Sequence, residues 1–311
     1  MVIPVFENAE TIPELFMRLT SLERKLEILD INLELVFVDD GSSDGSWDAI
    51  LKVQEARNQT IVIKLSRNFG SIKCSRTGLR HITGDAFVIL AADLQDPPEL
   101  IEAMAMYWLT GNKFVICERD SRKDPFLSKL YSRVFYKLLR YIAVPNYPKG
   151  GFDLFLLDSS ALQYVVESSK SAYTPVLMWW LGLTPTVIKY ERQERAHGKS
   201  KWTFVKKFNA FMDIMLGFSV RPIRSITLMG LISATFTSAF GFLILVNSLL
   251  GNVLVPGYAS IATLMSFLLS VIIIMLGVIG EYLWRIFEET NRRPDTVIDI
   301  LIRESPKGGV V

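Results

Sequence analysis

Residues 33–56 read LELVFVDDGSSDGSWDAILKVQEA, and this stretch decides the fold class. An apolar run at 33–38 passes into an acidic, glycine-containing turn at 39–45, and a helix-like segment begins at Ser46. The same alternation continues on both sides, with further strand-like runs at residues 2–6, 60–65, 86–91, 114–117 and 187–190 and helix-like runs at 12–29, 70–82 and 98–109. This rhythm predicts an α/β domain with a mostly parallel sheet and helices on both faces.

Acidic residues follow three of the predicted strands. Asp39 and Asp40 come after the run at 33–38, Asp93 and Asp96 come after the run at 86–91, and Glu7 follows the first run. A turn accounts for any one of these acids, because Asp-Gly and Asp-Pro are ordinary turn dipeptides. Ligands of parallel sheets bind beyond the carboxyl ends of the strands, so three acidic ends together indicate a ligand site.

Two charge-free stretches, residues 226–250 and 254–280, account for much of the 50% hydrophobic content. Each is long enough to cross a bilayer, which needs about 20 apolar residues in a helix. The alternative is a pair of buried helices in a soluble core. Uncharged runs of this length are rare in soluble cores, so the sequence predicts a transmembrane hairpin.

The charges around the hairpin predict its orientation. Basic residues precede the first stretch and follow the second, at Lys206, Lys207, Arg221, Arg224, Arg285, Arg292 and Arg293. The connecting segment, residues 251–257, contains no Lys or Arg. Cytoplasmic ends of membrane helices are enriched in Lys and Arg, so both ends of the hairpin are predicted to face the cytoplasm. No signal-peptide pattern opens the chain, which places the N-terminal domain in the cytoplasm as well.

Residues 202–218 carry apolar side chains at steps of three and four, among them Trp202, Phe208 and Met212, with Lys206 and Lys207 between them. This pattern predicts an amphipathic helix in the membrane interface; packing against the preceding domain is the alternative. The predicted organisation is therefore a cytosolic domain at 1–201, the interfacial helix at 202–221, the hairpin at 222–283 and a cytosolic tail at 284–311. The formal net charge of only +2 gives no indication of a nucleic-acid partner.

The ordered motifs resemble family 2 glycosyltransferases of the GT-A fold. They are Asp-Asp-Gly-Ser at 39–42, Arg-Asn-Phe-Gly at 67–70, Asp-Leu-Gln-Asp-Pro-Pro at 93–98 and Gly-Glu-Tyr at 280–282. With the hairpin included, the chain looks most like the polyisoprenyl-phosphate glycosyltransferases, in particular the bactoprenol glucosyltransferases of bacteria and phages, and is also related to dolichyl-phosphate mannose synthases.

The resemblance implies a site for a nucleotide sugar and a divalent cation. The residues it assigns to the nucleotide sugar are Pro4, Phe6, Glu7, Asp39, Asp40, Arg67, Asp93, Arg195 and Lys201. Asp93 and Gln95 are implied ligands of Mg²⁺ or Mn²⁺, hard cations that prefer oxygen donors. Two positions depart from the family pattern. Ala91 stands where relatives often carry a first acid, and the acid at Glu7 is shifted by one residue.

The resemblance also implies a lipid phosphate as acceptor. The resemblance assigns Arg119, Lys129 and Ser132 to that phosphate, and the basic segment adds Arg122 and Arg133 as candidates; a solvated basic helix is the alternative. Asp153 matches the position of the catalytic base in inverting relatives. A phosphate monoester with a second pKa of about 6 is already largely ionised at neutral pH, so Asp153 is expected either to act as a base or to orient the acceptor.

The function implied is inverting transfer of a hexose, glucose from UDP-glucose, to undecaprenyl phosphate at the cytoplasmic face of the inner membrane. Alternative donors are GDP-mannose or an aminoarabinose derivative. Ala91 favours a different alternative, a catalytically weak nucleotide-sugar-binding scaffold. A two-helix hairpin is too small to move the product across the bilayer, which implies a flippase partner, and small residues in the hairpin such as Gly230 favour a homo-oligomer, with a tetramer expected.

Overall fold

The computed structural model describes residues 1–119, 126–169, 172–191, 204–250, 258–291 and 293–303. The chain forms two compact units. Unit 1 contains residues 1–214 and, after an excursion of the chain, the residues from 293 onward. Unit 2 contains residues 215–292.

Unit 1 is an α/β structure. Its strands are β1 (Val2–Val5), β2 (Val36–Asp39), β3 (Ile61–Leu65), β4 (Ala86–Val88), β5 (Phe114–Arg119), β6 (Phe152–Asp158), β7 (Thr186–Tyr190) and β8 (Ile298–Ile302). Its helices are α1 (Ile12–Ile28), α2 (Ser46–Ala56), α3 (Ser71–Leu79), α4 (Leu100–Leu109), α5 (Phe126–Ile142), α6 (Leu162–Val166) and α7 (Thr174–Trp180), and α8 (Phe204–Gly217) leads into unit 2.

The strands form two four-stranded sheets, ordered β1-β2-β3-β8 and β4-β6-β5-β7. A parallel bridge between Val2 and Ile89 joins them. The predicted α/β class is confirmed, but the prediction of a mostly parallel sheet is wrong. β6 runs antiparallel to both β4 and β5, and β8 runs antiparallel to β3. The sheet is mixed because the chain re-enters it after α5 and after unit 2 in the opposite direction.

Helix α1 shows why these segments pack as they do. Its apolar residues recur at steps of three and four, and Leu15, Leu19, Leu22 and Leu26 are each at most 2% exposed. That stripe buries the helix against the sheet. Full burial of each leucine contributes roughly 1.5–3 kcal/mol relative to exposure. The helix-like period read from residues 12–29 is therefore the packing face of a real helix.

Strand β8 lies within the predicted C-terminal tail and was not among the predicted elements. It pairs with β3 along the edge of the sheet. Just before it, Asp295 forms salt bridges with Arg76 of α3 and with Arg80, the residue that follows α3, the shorter being 2.9 Å from Arg80. Thr296 shares a hydrogen bond of 2.7 Å with Thr77. The chain after unit 2 is thus an integral part of unit 1.

An aromatic cluster includes residues of β5 and β6, the two inner strands of the second sheet. Phe152 stands edge-on to Phe114 with ring centroids 6.0 Å apart, and Tyr147 stacks on Phe152 at 5.5 Å. Phe135 of α5 lies 6.0 Å from Phe211 of α8. This contact joins α5 to the part of α8 that belongs to unit 1.

Unit 2 is a pair of long helices, α9 (Arg221–Leu249) and α10 (Tyr258–Thr290). Within them, Arg221–Leu243 and Phe267–Thr290 are 23 and 24 residues of apolar helix, of which 0% and 6% are buried. Both are long enough to cross a bilayer, and their exposed apolar surface is unlike that of a soluble core helix. Gly230 permits close approach of the pair, because a Cβ there would lie 2.9 Å from Cε of Met275.

Candidate active site

The turns after β1 and β2 are held together by Ser42. The backbone N–H of Ser42 donates to Oδ1 of Asp39 at 3.3 Å, and its own Oγ accepts the N–H of Glu7 at 3.0 Å. Glu7 takes a φ of 53°, a left-handed conformation that few non-glycine residues adopt. Two strand ends that are 35 residues apart in sequence therefore meet at one edge of the sheet.

Asp40 ties this edge to residues 67–70. Its two carboxylate oxygens accept the backbone N–H groups of Phe69 at 2.7 Å and Gly70 at 2.9 Å. Burial raises the pKa of Asp40, and these two hydrogen bonds partly offset that rise. Gly41 is required beside it, because its φ is +67° and a Cβ would lie 2.5 Å from the carbonyl carbon of Arg67. The 39–42 and 67–70 motifs thus form one rigid cradle.

The structure brings the described residues assigned to the nucleotide to this edge, but they differ in exposure. Asp39 and Asp40 are 0% and 2% exposed, so in this structure their carboxylates stabilise the cradle by accepting hydrogen bonds on its buried side. Glu7 and Arg67 are exposed, and Pro4 and Phe6 are half-buried. The guanidinium of Arg67 lies 4.3 Å from the ring centroid of Phe69. A ligand in the cradle would meet these exposed and half-buried side chains first.

The turn after β4 carries the predicted cation ligands. Gln95 donates its backbone N–H to Oδ1 of Asp93 at 3.2 Å, and the buried Leu94 between them takes a φ of 59°. A left-handed leucine is strained by roughly 1–2 kcal/mol, and such strain collects at functional sites. The turn carries two half-buried side chains with oxygen donors, Asp93 and Gln95, separated by one residue.

This donor set fits a magnesium-like ion that shares its coordination with a substrate. No group of three His, Cys, Asp or Glu side chains suited to a metal occurs among the described residues. Mg²⁺ is commonly bound by one or two carboxylates together with substrate phosphates and water. Asp93 and Gln95 supply hard oxygen donors of that kind, and a diphosphate would supply the remaining negative ligands.

Arg119 and Asp153 form an ion pair at the ends of β5 and β6. The guanidinium Nη2 contacts Oδ2 of Asp153, and the arginine side chain is 8% exposed while that of the aspartate is 43% exposed. The residue assigned to the acceptor phosphate and the residue assigned as base therefore touch each other. Their contact places a positive group and an open carboxylate side by side.

The glycines before Asp153 allow this approach. A Cβ on Gly150 would lie 2.5 Å from the carbonyl oxygen of Arg119, and a Cβ on Gly151 would lie 2.1 Å from the hydroxyl oxygen of Tyr136. Gly151 also takes a φ of +66°. Tyr136 cannot move aside without breaking its stacking on Tyr147, where the centroids are 6.1 Å apart. The two glycines are packing requirements of the site.

We expect Gly151→Ala to lower the melting temperature of the protein by roughly 6–12 °C, from about 1 kcal/mol of backbone strain and about 2 kcal/mol of overpacking. Gly182→Ala is the matched control, because Gly182 has a φ of +76° and nothing within 4 Å of the added Cβ. Gly182→Ala should introduce the backbone strain without the overpacking, and should lower the melting temperature by roughly 2–4 °C. Thermal unfolding in detergent measures both, and equal shifts would contradict the contact with Tyr136.

Two residues of the site were not singled out from the sequence as site residues. Tyr190, the last residue of β7, donates its hydroxyl hydrogen bond to Oδ1 of Asp96, and both side chains are buried. Asp96 belongs to the 93–98 motif, but its type and position are also those of an Asp-Pro turn. Arg119 of β5 and Tyr190 of β7 are partners in the sheet, and this pairing brings Arg119, Tyr190 and Asp96 together. The sequence alone does not reveal the pairing.

Several assigned residues lie outside this description. Arg122, Arg195 and Lys201 fall outside the described residues. Lys129 and Ser132 lie on helix α5, with only their backbone described. Arg133 lies on the same helix and is exposed.

Comparisons with known proteins identify the family. The sequence pattern of glycosyl transferase family 2 matches residues 1–163. An uncharacterized glycosyltransferase of Synechocystis is 31% identical over 296 residues, covering 94% of this chain and 92% of that protein. The bactoprenol glucosyl transferase of Shigella phage SfX is 30% identical over 300 residues, covering 96% and 97%.

Among solved structures, the mannosyl-3-phosphoglycerate synthase of Rubrobacter xylanophilus is similar over 68% of this chain and 70% of that one, with 16% identity and a TM-score of 0.47. The family match covers more than half of the chain and includes the cradle, the Asp93 turn and Asp153. The chain belongs to glycosyl transferase family 2 and is a glycosyltransferase with a GT-A-like α/β fold of mixed sheets.

Proposed function

We propose that this enzyme transfers glucose from UDP-glucose to a polyprenyl phosphate at the cytoplasmic face of the bacterial inner membrane. One observation carries the proposal. The similarity to the bactoprenol glucosyl transferase covers 96% of the chain, and so includes unit 2 as well as the family domain. A soluble acceptor needs no such hairpin, whereas a membrane lipid does.

The donor occupies the cradle in this proposal. Pro4, Phe6 and Glu7 contact the base and ribose, and the buried Asp39 and Asp40 keep the cradle in shape. The diphosphate lies between the Asp93 turn and the cationic groups assigned to it, which are Arg67, Arg195 and Lys201. Guanidinium suits this task because it is planar and always charged.

Asp93 and Gln95 would hold a divalent cation, Mg²⁺ or Mn²⁺. When bound, the cation supplies Lewis-acid stabilisation of the charge that develops on the leaving group. The part played by the protein is to fix the two oxygen donors on one turn. The strained Leu94 is the element that sets their geometry.

Arg119 and Asp153 act on the acceptor side. An oxygen of the lipid phosphate attacks the anomeric carbon, a new carbon–oxygen bond forms, and the bond from that carbon to the β-phosphate oxygen breaks, its electron pair leaving with UDP. Attack from the opposite face inverts the configuration and gives a β-linked glucose. Arg119 binds the attacking phosphate. Asp153 acts as the base for that phosphate or, where the phosphate is already ionised, orients it or accepts a hydrogen bond from a sugar hydroxyl.

The connectivity of unit 1 supports the membrane topology. Strand β8 follows unit 2 in the chain and pairs with β3, which precedes it. Two strands of one sheet lie on the same side of any membrane, so the intervening chain must cross it an even number of times. Two spans, α9 and α10, satisfy this condition, and the basic residues that flank them favour the cytoplasmic side.

We therefore expect Asp48→Cys and Asp299→Cys, in exposed positions on α2 and β8, to be labelled by an impermeant maleimide only after the cell membrane is opened. Asn252→Cys, in the connecting segment outside the described residues, should be labelled in intact spheroplasts. The native Cys74 and Cys117 are buried and provide a low background. Labelling of Asp299→Cys from outside would contradict the proposed topology.

The lipid phosphate is expected to meet α5. Attraction of one basic residue to an anionic membrane surface contributes about 1 kcal/mol, and a direct charge-assisted hydrogen bond contributes about 1.5–3 kcal/mol. Replacement of Arg133 or Lys129 by Ala should therefore raise KM for polyprenyl phosphate about tenfold while leaving KM for UDP-glucose unchanged. Arg24→Ala, at an exposed position on α1, is the matched control. A raised KM for UDP-glucose instead would remove these residues from the acceptor site.

The proposal includes partners. The lipid-linked sugar is made on one leaflet and used on the other, so a flippase is proposed to receive it. A homo-oligomer, with a tetramer as the proposed state, would pack the hairpins together. Light scattering of the detergent-solubilised protein, corrected for bound detergent, measures its stoichiometry directly.

The donor is tested by incubating the purified full-length protein with polyprenyl phosphate and separately labelled UDP-glucose, UDP-galactose, GDP-mannose and UDP-aminoarabinose. We expect glucose to become extractable into organic solvent at a rate at least tenfold above the others. Preferred extraction of mannose or aminoarabinose would replace the donor assignment. Tight binding of a nucleotide sugar without transfer would favour the scaffold alternative raised by Ala91.

A further inference from the structure

Two buried groups lie behind the Arg119–Asp153 ion pair. Asp96 is 4% exposed and Tyr190 is 7% exposed, and the tyrosine hydroxyl donates to the aspartate carboxylate. Both groups interact electrostatically with Arg119. The four side chains thus form a continuous line from the buried interior to the half-exposed carboxylate of Asp153. The mechanism above uses only the outer two.

The register of the strands produces this line. Arg119 and Tyr190 are direct partners at the carboxyl ends of the parallel strands β5 and β7. Asp96 arrives from the turn that follows β4, one residue beyond Gln95 of the cation site. The same turn therefore carries a proposed cation ligand and the innermost group of the line. It connects the donor side of the site with the acceptor side.

The charges in this line are mutually dependent. A buried carboxylate is costly unless it is hydrogen-bonded and lies near a positive charge. Tyr190 donates a hydrogen bond to Asp96, and the positive charge of Arg119 interacts electrostatically with it. Burial by itself would lower the pKa of Arg119, but Tyr190 and Asp96 outweigh it and raise that pKa. Burial, followed by Asp96, raises the pKa of Tyr190, so its hydroxyl keeps its proton and remains a donor.

We propose that Asp96 and Tyr190 are positioning residues, which anchor the buried side of Arg119 and thereby fix the outer side of its guanidinium against Asp153 and the acceptor phosphate. Without the anchor, Arg119 could rotate to satisfy Asp153 alone and would no longer present a fixed donor to the acceptor. This inference rests on the proposed acceptor role of Arg119 and Asp153. It assigns no contact with substrate to Asp96 or Tyr190.

A purely structural role makes a different prediction. If the pair is purely structural, its replacement should lower activity by the same factor whatever residue stands at position 153, because the loss comes from a smaller amount of folded protein. If the pair instead positions Arg119 against Asp153, its replacement should lower kcat in the wild type but have little further effect once the Asp153 carboxylate has been removed. The two roles therefore separate in a double-mutant cycle.

In the full-length protein, Tyr190→Phe is expected to lower kcat about tenfold, with KM for UDP-glucose changed less than about twofold. In the Asp153→Asn background, Tyr190→Phe should lower kcat by less than about a further factor of two. Asp96→Asn, which keeps an acceptor oxygen for Tyr190, should retain several times more activity than Asp96→Ala. Tyr164→Phe, at a site 63% exposed on α6, is the matched control and should behave as wild type.

Equal losses in both backgrounds, or a wild-type rate for Tyr190→Phe, would overturn the proposal. A second cycle needs no substrate. The melting-temperature shifts of Tyr190→Phe and Asp96→Ala should be clearly non-additive, and additive shifts would also overturn it. If the wild-type protein forms no lipid-linked glucose, the proposed function fails on that result alone, and the melting-temperature cycle still decides whether the buried line exists.

Discussion

Replacement of Asp93 by Asn is expected to lower kcat by a factor on the order of 10²–10³, the largest effect of any single change considered for this enzyme. Asp93 and Gln95 would hold a cation whose Lewis acidity stabilises the negative charge of the leaving group, a contribution of several kcal/mol to the barrier. Each 1.4 kcal/mol is a factor of ten in rate. Asp93 is the sole carboxylate at residues 91–95, because Ala91 occupies the other usual position. The Asn side chain keeps the shape of the turn but removes its charge.

The measurement is the initial rate of lipid-linked glucose formation at saturating substrates over a range of Mn²⁺ and Mg²⁺ concentrations. Asp85→Asn, at an exposed position before β4, is the matched control and should retain wild-type rates. The melting temperature of the Asp93→Asn protein should stay within a few degrees of the wild type. Full activity of the wild-type enzyme in excess chelator would remove the cation from the mechanism.

The second large effect is expected for Asp153→Asn, which should lower kcat about 10²-fold, the lower end of the range for general base catalysis. Asp153 forms an ion pair with Arg119 at the proposed acceptor end of the site. Its replacement should therefore change KM for UDP-glucose by less than about twofold. The amide cannot accept a proton and leaves the guanidinium without its ionic partner. Steady-state kinetics with each substrate varied in turn give the two constants separately.

The pH dependence distinguishes the two roles considered for Asp153. A true base gives a rate that rises with pH in the wild type and a flat profile in the mutant. An orienting carboxylate gives a smaller loss that is nearly independent of pH, because the phosphate ionises without its help. Wild-type rates in the mutant would place Asp153 outside the reaction altogether.

Much of the site could be predicted from the sequence because the relevant residues follow strands directly. The turns at 39–42 and 93–95 stand at the ends of apolar runs, and parallel strands bring such ends to one edge whatever the details of packing. The hydrogen bonds from Phe69 and Gly70 to Asp40 also join motifs that the sequence had already singled out. The cradle thus follows from strand order alone.

The remaining features depend on pairings between distant segments. Residues 297–302 read VIDILI, a β-rich run that could have been predicted as a strand, but its pairing with β3 after the excursion through unit 2 could not. The direction of β6 depends on how the chain returns after α5, which periodicity cannot reveal. Tyr190 became visible as a site residue only when its register beside Arg119 was known.

The chemical identity of the product tests the central claim most directly. Purified full-length protein is incubated with UDP-glucose, Mg²⁺ and undecaprenyl phosphate, and the lipid fraction is analysed by mass spectrometry and by NMR of the anomeric centre. We expect one new lipid whose mass equals that of the acceptor plus one hexose residue, joined through a β-linked monophosphate. Release of free glucose and UDP without a glycosylated lipid, or an α-linked product, would contradict it.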